Sequence, residues 1–234
     1  MPPHTRRHYH LELPQGVLEL GPRTLLMGIL NVTPDSFSDG GLFLEPERAV
    51  ARAWLIADEG ADILDIGGES TRPGSLGVNI EEELKRVVPI LDALRGKYPL
   101  PVSIDTSKPE VACAALDRGA SIVNDVTGLR LAPDLARETA SAGAALVLTH
   151  MRGTPRNMQE IPPSPAIMTE IGVWAQEAVA QARSSGVSSG KIILDPGIGF
   201  GKTVRQNLEI LRSLDRLADA GFPLLVGTSR KSFI

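Results

Sequence analysis

The sequence contains one cysteine, Cys113, among 234 residues. A single cysteine cannot form a disulfide within the chain, so a disulfide-stabilised secreted scaffold is excluded and we expect a cytoplasmic protein. Histidine is almost as scarce, with 4 residues, of which only His150 follows an apolar run. Asp105, Asp195 and His150 are the candidate ligands for a metal. Because zinc enzymes generally use several histidines, we do not expect a tightly held transition metal.

The chain also lacks an excess of positive charge and any long apolar run. It has 24 Lys and Arg against 28 Asp and Glu, a net charge of −4, which argues against a nucleic-acid or anionic-membrane partner. No apolar run approaches the roughly 20 residues that a membrane span requires. The opening MPPHTRRHYH is polar and no apolar segment follows it, so we expect no signal peptide.

Short aliphatic runs alternate with amphipathic helical stretches along the whole chain. The runs are continuous, as is typical of parallel strands buried on both faces. Seven of them predict strands, at 24–31, 62–67, 101–105, 121–125, 145–150, 191–195 and 223–229. The even rhythm and the length predict a single α/β domain covering residues 1–234.

Polar residues follow nearly every predicted strand. This favours a (β/α)8 TIM barrel over a doubly wound sheet, because a barrel gathers all strand ends around one mouth. The strand count is one short, and the sequence reaches SRKSFI inside the helix expected after strand seven. We therefore expect the last βα unit to be absent from this sequence. The segment HYHLELPQGVLELGP predicts a small hairpin near the barrel floor.

These polar strand ends define the candidate site. They are Asn31, Asp65, Glu69, Asp105, Asn124, Asp125, His150, Asp195, Ser229, Arg230 and Lys231. An aspartate after a strand often caps the next helix, and that alternative stays open for Asp105. Together, Asp105, Asp195, Asn124 and Lys231 offer the acceptors and donors that suit a flat heterocycle such as an aminopyrimidinone.

The stretch LDPGIGFGKT, residues 194–203, looks like a nucleotide-binding loop. However, Pro196 stands where a P-loop requires glycine, and Lys202 stands where G-x-G-x-x-G requires its third glycine. We interpret the stretch as a strand that ends in Asp195, followed by glycines. These glycines either leave room for a flat ligand or form an ordinary tight turn.

Two segments after predicted strands are longer than the usual βα loop of about 2–6 residues. They are NVTPDSFSDGGLFLEP (31–46) and GGESTRPGSLGV (67–78), and we expect them to close over a substrate. Arg72 on the second loop is a cation suited to phosphate or carboxylate. Asn31 with substrate phosphates is a candidate for loosely held Mg²⁺, which prefers oxygen ligands.

Six motifs closely resemble those of the dihydropteroate synthase family. In order they are MGILNVTPDSFSDGG, DIGGESTRPG, SIDTSKPEVA, IVNDVTG, LDPGIGFGKT and GTSRKSFI, and they run from residue 27 to the last residue. The resemblance implies a barrel enzyme of folate biosynthesis. Such an enzyme joins 6-hydroxymethyl-7,8-dihydropterin diphosphate to 4-aminobenzoate and releases diphosphate.

The resemblance also implies roles for residues on the strand ends. Asp105, Asn124, Asp195 and Lys231 would hold the pterin, with Phe200 lining its pocket. Lys231 would also take part in catalysis. The family resemblance further implies a homodimer.

The loops receive the remaining roles. Thr71, Arg72 and Ser232 would form the 4-aminobenzoate site, where sulfonamides compete, and Asn31 would bind Mg²⁺ or diphosphate. Asp35 would be catalytic by stabilising a pterin cation after diphosphate leaves. The amine then attacks, so no enzyme nucleophile is needed.

Two departures from the family pattern keep alternatives open. The family has an eighth strand with an Arg-x-His motif that binds diphosphate, and this sequence stops before it. Thr149 stands where the family often has methionine. A pterin-dependent methyltransferase is one alternative, although the two long loops argue against it. A non-catalytic pterin-binding protein is the other, if the chain truly ends at Ile234.

Overall fold

The structure is a computed structural model that describes residues 6–33, 45–70, 74–75 and 77–231. An amino-terminal hairpin precedes a parallel sheet. The hairpin strands are β1 (Tyr9–Leu13) and β2 (Gly16–Leu20), paired antiparallel. The sheet has the order β3-β4-β5-β6-β7-β8, so each strand lies beside the next one in the chain. This order is the simple βαβ progression that the strand rhythm predicts.

The six sheet strands are short and their connections carry helices. They are β3 (Met27–Asn31), β4 (Ile63–Gly67), β5 (Val102–Asp105), β6 (Ile122–Asp125), β7 (Ala145–Thr149) and β8 (Ile192–Asp195). The helices are α1 (Glu45–Asp58), α2 (Ile80–Leu94), α3 (Pro109–Leu116), α4 (Asp134–Ser141), α5 (Ile167–Ser184), α6 (Val204–Arg212) and α7 (Leu214–Ala218). Among the helices in the described part of the chain, none combines the length and apolar character that a membrane span requires.

Alternate residues of each strand face two different cores. In β4, Leu64 and Ile66 pack with α1 and α2 in the larger core, whereas Ile63 packs in a smaller one. The smaller core also takes Ile193 from β8 and is closed by Leu11 from the hairpin. Since successive side chains of a strand point to opposite faces, the smaller core lies on the inner face of the sheet.

The smaller core shows that the sheet is curved. Met27 of β3 and Ile193 of β8 both pack against it, although their strands are the two edges of the six-stranded sheet. In a flat sheet these edges would lie about 24 Å apart, at about 4.8 Å per strand. Curling into a barrel brings them to one cluster. The predicted hairpin is confirmed at the amino-terminal end of that barrel.

Two predicted elements near the carboxyl end are wrong in detail. Residues 223–229 form one parallel bridge, Leu194 to Leu224, and not a full strand. The helical stretch predicted after β8 is broken at Ser213 into α6 and α7.

At the other edge, β3 pairs only with β4 among the described residues, and Ile29 is 60% exposed. A strand without a neighbour on one side cannot bury its side chains as fully as a central strand does.

Candidate active site

A row of side chains faces the inside of the barrel at the carboxyl ends of the strands. The register pairs Asn31 with Gly67, Gly67 with Asp105, and Asp105 with Asn124. The oxygens Asn31 Oδ1 and Asp105 Oδ2 lie 3.8 and 3.5 Å from the point where a Cβ of Gly67 would stand. Glycine at this position therefore leaves the space between the amide and the carboxyl open.

Asn124 is fixed by a residue that had no assigned role in the sequence-based prediction. Its Nδ2 donates to Oδ2 of Asp65 at 3.1 Å, and Asp65 is only 3% exposed. Asn124 Oδ1 is buried and has no hydrogen-bond partner among the described residues. Alternation along β4 could have signalled Asp65, because it shares the inward face with Ile63 and Gly67.

Burial raises the pKa values of two carboxyl groups inside the barrel, those of Asp65 and Asp105. Burial raises the pKa of Asp105 well above its ordinary value, and the charges of Asp65 and Glu83 raise it further. Burial also raises the pKa of Asp65. The helix-capping alternative for Asp105 is not supported, since Lys108 is the N-cap residue of α3 and makes no side-chain cap. A ligand with N–H donors would stabilise these buried carboxylates.

Asp195, Phe200 and Lys231 lie together on the β8 side. Burial raises the pKa of Asp195 to about 6, against the opposing effects of the Gly197 N–H and two lysines. Lys231 Nζ lies 4.4 Å from the centroid of the Phe200 ring, a cation–π contact. Burial lowers the pKa of Lys231, and Asp195 opposes that shift. The predicted grouping of these three residues is therefore present.

The glycines after Asp195 have positive φ angles and lie close to other parts of the chain. A Cβ on Gly197 would stand 1.9 Å from the carbonyl oxygen of His150, and one on Gly201 would stand 2.5 Å from that of Arg152. A Cβ on Gly199 would meet Lys231 Cδ at 3.1 Å. The glycines thus let this loop pack against the chain after β7 and against Lys231. This packing agrees with the tight-turn interpretation, and room for a flat ligand stays a prediction.

Lys202 was considered only as a residue that breaks a glycine motif, yet it organises this loop. Its Nζ donates to the carbonyl oxygens of His150 (2.8 Å), Gly197 (2.8 Å) and Phe200 (3.1 Å). Burial lowers its pKa to about 7. The loop that carries Phe200 is therefore tied to the end of β7 by one ammonium group.

Two polar strand ends face away from the barrel interior. His150 lies edge-on to Trp174 of α5, with ring centroids 5.2 Å apart, and burial lowers its pKa to about 2. Asp125 accepts hydrogen bonds from Thr127 N and Leu129 N, so it stabilises a turn. The expectation that His150 lies at the mouth is wrong. Across the described ranges, no group of three or more His, Cys, Asp or Glu side chains could hold a metal ion.

Four residues with predicted roles lie outside the described residues. They are Asp35, Thr71, Arg72 and Ser232. Their neighbours are placed: Gly74 N donates to the carbonyl oxygen of Pro155 at 3.0 Å, so the loop after β4 reaches the segment after β7.

Comparisons with known proteins agree with this geometry. The model of the pterin binding enzyme family matches residues 27–234. A dihydropteroate synthase of Synechocystis is 47% identical over 224 residues, which are 96% of this chain and 78% of that protein. A structure of Xanthomonas albilineans dihydropteroate synthase with 4-aminobenzoic acid superposes with a TM-score of 0.89 at 42% identity, covering 97% of this chain and 80% of that one. The Yersinia pestis dihydropteroate synthase in a sulfonamide complex also has a TM-score of 0.89 at 42% identity, covering 96% and 81%.

A curved parallel sheet with acids and an amide at the carboxyl ends of its strands defines an α/β barrel enzyme of the TIM type. The chain belongs to the pterin binding enzyme family and, within it, to the dihydropteroate synthases, transferases of folate biosynthesis. The predicted fold class, family and activity are confirmed. The pterin-dependent methyltransferase alternative has no support from these relatives.

Proposed function

We propose that the inward-facing residues bind the pterin of 6-hydroxymethyl-7,8-dihydropterin diphosphate. The observation that carries this proposal is that Asp105, Asn124 and Asp195 all lie on the inward face at the carboxyl ends of their strands, with Asn124 oriented by Asp65. Asn124 Oδ1 is a buried acceptor without a partner among the described residues, and a ring N–H would satisfy it.

The two buried carboxyls complement a pterin ring. Burial raises the pKa values of Asp105 and Asp195, so each gains stability as a carboxylate when ring N–H groups donate to it. Lys231 supplies a donor for a carbonyl or ring nitrogen acceptor, and Phe200 supplies an apolar wall beside it. This combination recognises donors on one edge of the ring and acceptors on another.

The reaction that follows needs charge stabilisation rather than an enzyme nucleophile. As diphosphate leaves, the methylene carbon on the pterin becomes cationic, and the buried carboxylates of Asp105 and Asp195 stabilise that charge. We assign Asp35 to the same role from the first loop and Lys231 to orienting the ring. The amine of 4-aminobenzoate attacks the carbon and then loses a proton.

The second substrate would bind at the long loop after β4. We assign Thr71, Arg72 and Ser232 to 4-aminobenzoate, with the Arg72 guanidinium paired to the carboxylate. The Xanthomonas albilineans and Yersinia pestis relatives, with 4-aminobenzoic acid and a sulfonamide drug respectively, support these two kinds of compound as ligands. We infer that sulfonamides compete at the same place.

We assign Mg²⁺ to Asn31 and the diphosphate oxygens. Asn31 presents one amide oxygen at the end of β3, close to the open space over Gly67. A single protein oxygen shared with phosphates and water is a donor set that Mg²⁺ accepts. When bound, Mg²⁺ neutralises charge on the leaving diphosphate.

We also propose a cytoplasmic homodimer. Two neighbouring helices expose large apolar side chains, which are Val173 on α5 and Val204 and Leu208 on α6. Exposed apolar side chains of this kind are typical of a surface that a second subunit covers. Cys113 is free, which suits a reducing compartment. Sedimentation of the purified protein over a concentration series tests the dimer, and a monomer at all concentrations would contradict it.

One assay tests the central proposal. The protein is mixed with the pterin diphosphate, 4-aminobenzoate and Mg²⁺, and diphosphate and dihydropteroate are measured. We expect release that depends on 4-aminobenzoate, is lost in Asp105→Ala, and persists in the exposed control Asp58→Ala. We expect Asn31→Ala to raise the Mg²⁺ concentration needed for half-maximal rate. Pterin binding without any aminobenzoate-dependent release would refute the proposed reaction.

A further inference from the structure

Three charged side chains meet beside the barrel mouth, where the loop after β4 lies against α2 and α3. Lys108 Nζ contacts one carboxylate oxygen of Glu69 and one of Glu83. The side chain of Glu83 is 0% exposed, that of Lys108 is 19% and that of Glu69 is 24%. The cluster joins three elements: the loop, α2 and the connection from β5 to α3.

This cluster contributes little net stability to the fold. Desolvation of a buried carboxylate costs several kcal/mol, and an ion pair offsets this penalty only when its geometry is good. Glu83 Oε2 is paired with Lys108, while Glu83 Oε1 has no partner among the described residues. An apolar side chain at residue 83 would fill the space at lower cost, so stability alone does not explain the charge.

The cluster lies close to both described ends of one loop. At the start of the loop, Arg86 Nη1 donates to the carbonyl oxygen of Gly68 at 2.8 Å. A Cβ on Gly68 would stand 2.9 Å from Glu83 Cγ, so the chain there lies directly on α2. Where the loop returns, a Cβ on Gly77 would lie 3.4 Å from Glu69 Oε1. Glu69 therefore lies between the outgoing and the returning chain.

We propose that Lys108 is a positioning residue that, through Glu69, fixes the described ends of the loop after β4, residues 67–70 and 77–79. The loop carries Thr71 and Arg72, so the proposal rests on their assignment to 4-aminobenzoate. Lys108 follows Asp105 by three positions in the chain, and Asp105 lies in the pterin pocket. One short connection thus links the pterin pocket to the loop that receives the second substrate.

The test compares Lys108→Met and Glu69→Gln with Lys85→Met, which removes an exposed lysine from the same helix as Glu83. Hydrogen exchange is followed at the amides of residues 67–79 and, as a reference, in β6 and β7. We expect loop exchange to be about 10-fold faster in both cluster variants and unchanged in the control, because the loop opens locally. We expect the KM for 4-aminobenzoate to rise about 5-fold or more, with the Kd for the pterin diphosphate within about 2-fold.

The outcomes separate this inference from the proposed reaction. Unchanged loop exchange in Glu69→Gln would overturn the inference, even if Lys108→Met fails to fold. If the Kd for the pterin diphosphate and the KM for 4-aminobenzoate rise by the same factor, the variants are destabilised in general, and this outcome would also overturn the inference. A wild-type protein without synthase activity refutes the reaction, while the exchange data still decide whether Lys108 anchors the loop.

Discussion

Asn124 donates its Nδ2 hydrogen to Oδ2 of Asp65 at 3.1 Å, although the residues are 59 positions apart and β5 lies between their strands. The bond crosses the inside of the barrel and fixes which face of the amide points to the cavity. Asn124 Oδ1 is left as a buried acceptor for a ligand. The orientation of Asn124, which we propose binds the pterin, thus depends on Asp65, a residue with no predicted role.

Replacing Asp65 by alanine is expected to weaken binding of the pterin diphosphate about 10-fold, or about 1–2 kcal/mol, because Asn124 loses its orienting acceptor. Asp65→Asn keeps an oxygen at the same place and is expected to retain most of the affinity. Titration calorimetry measures both Kd values, with Asp58→Ala as the exposed control. Wild-type affinity in Asp65→Ala would show that Asn124 needs no such partner.

Ionisation of the buried Asp195 is expected to lower the free energy of unfolding, so the size of this effect depends on pH. Because burial raises its folded pKa to about 6, the folded state binds more protons than the unfolded state between about pH 4 and 6. Stability therefore falls as pH rises through this window. We expect Asp195→Asn, which keeps an acceptor for Gly197 N–H, to raise Tm of the ligand-free protein at pH 7.5 and to have little effect at pH 4.

The same substitution is expected to weaken pterin binding at pH 7.5, since the ring loses a carboxylate acceptor. Thermal melts from pH 4 to pH 8 and binding titrations at pH 7.5 measure the two effects. A Tm difference that does not change with pH would contradict the raised pKa.

Gly197→Ala is expected to destabilise the protein by about 2–5 kcal/mol, combining backbone strain with a steric clash. Gly197 has φ of 68°, and the added Cβ would stand 1.9 Å from the carbonyl oxygen of His150. Gly172→Ala is the matched control, because its Cβ would meet nothing within 4 Å and it lies inside α5. That control is expected to be stabilising by about 0.5–1 kcal/mol. Urea denaturation measures both, and similar midpoints for the two variants would refute the close approach.

Lys202→Met is expected to raise the Kd for the pterin diphosphate about 10-fold, because three carbonyl oxygens lose their shared donor and Phe200 shifts.

The pKa of Lys202 is lowered by burial to about 7, so between about pH 7 and 10 the unfolded state keeps a proton that the folded state has lost. The stability of the wild type relative to Lys202→Met should therefore rise with pH across that window. Melts of both proteins at pH 6, 8 and 9.5 measure this difference, and a constant difference would contradict it.

Much of the site was predictable because parallel strands place their carboxyl ends at one edge. Asp105, Asn124 and Asp195 each end a predicted strand, and the structure brings them inside the barrel. The assignment of His150 to the mouth failed because the sequence does not show on which residue a strand begins. A shift of one position moves a side chain from the barrel interior to the helix layer. Asp65 was undervalued for the same reason.

The roles of glycine and lysine after Asp195 were less predictable. Gly197 and Gly201 serve backbone contacts with residues 150 and 152, which are remote in sequence. Lys202 joins carbonyls from two loops, and no local pattern encodes such a partner. The break at Ser213 and the single bridge of Leu224 were not predicted either.

The sequence by itself determined the βα rhythm, the presence of polar residues at the strand ends and the family, because hydrophobic periodicity and motif spacing are local properties of the chain. Only the tertiary structure decided which polar residues face the cavity and that Asp65 orients Asn124. It also decided that Lys108 joins Glu69 to Glu83. These relationships depend on the register and curvature of the sheet, which bring residues distant in the chain within a few ångströms.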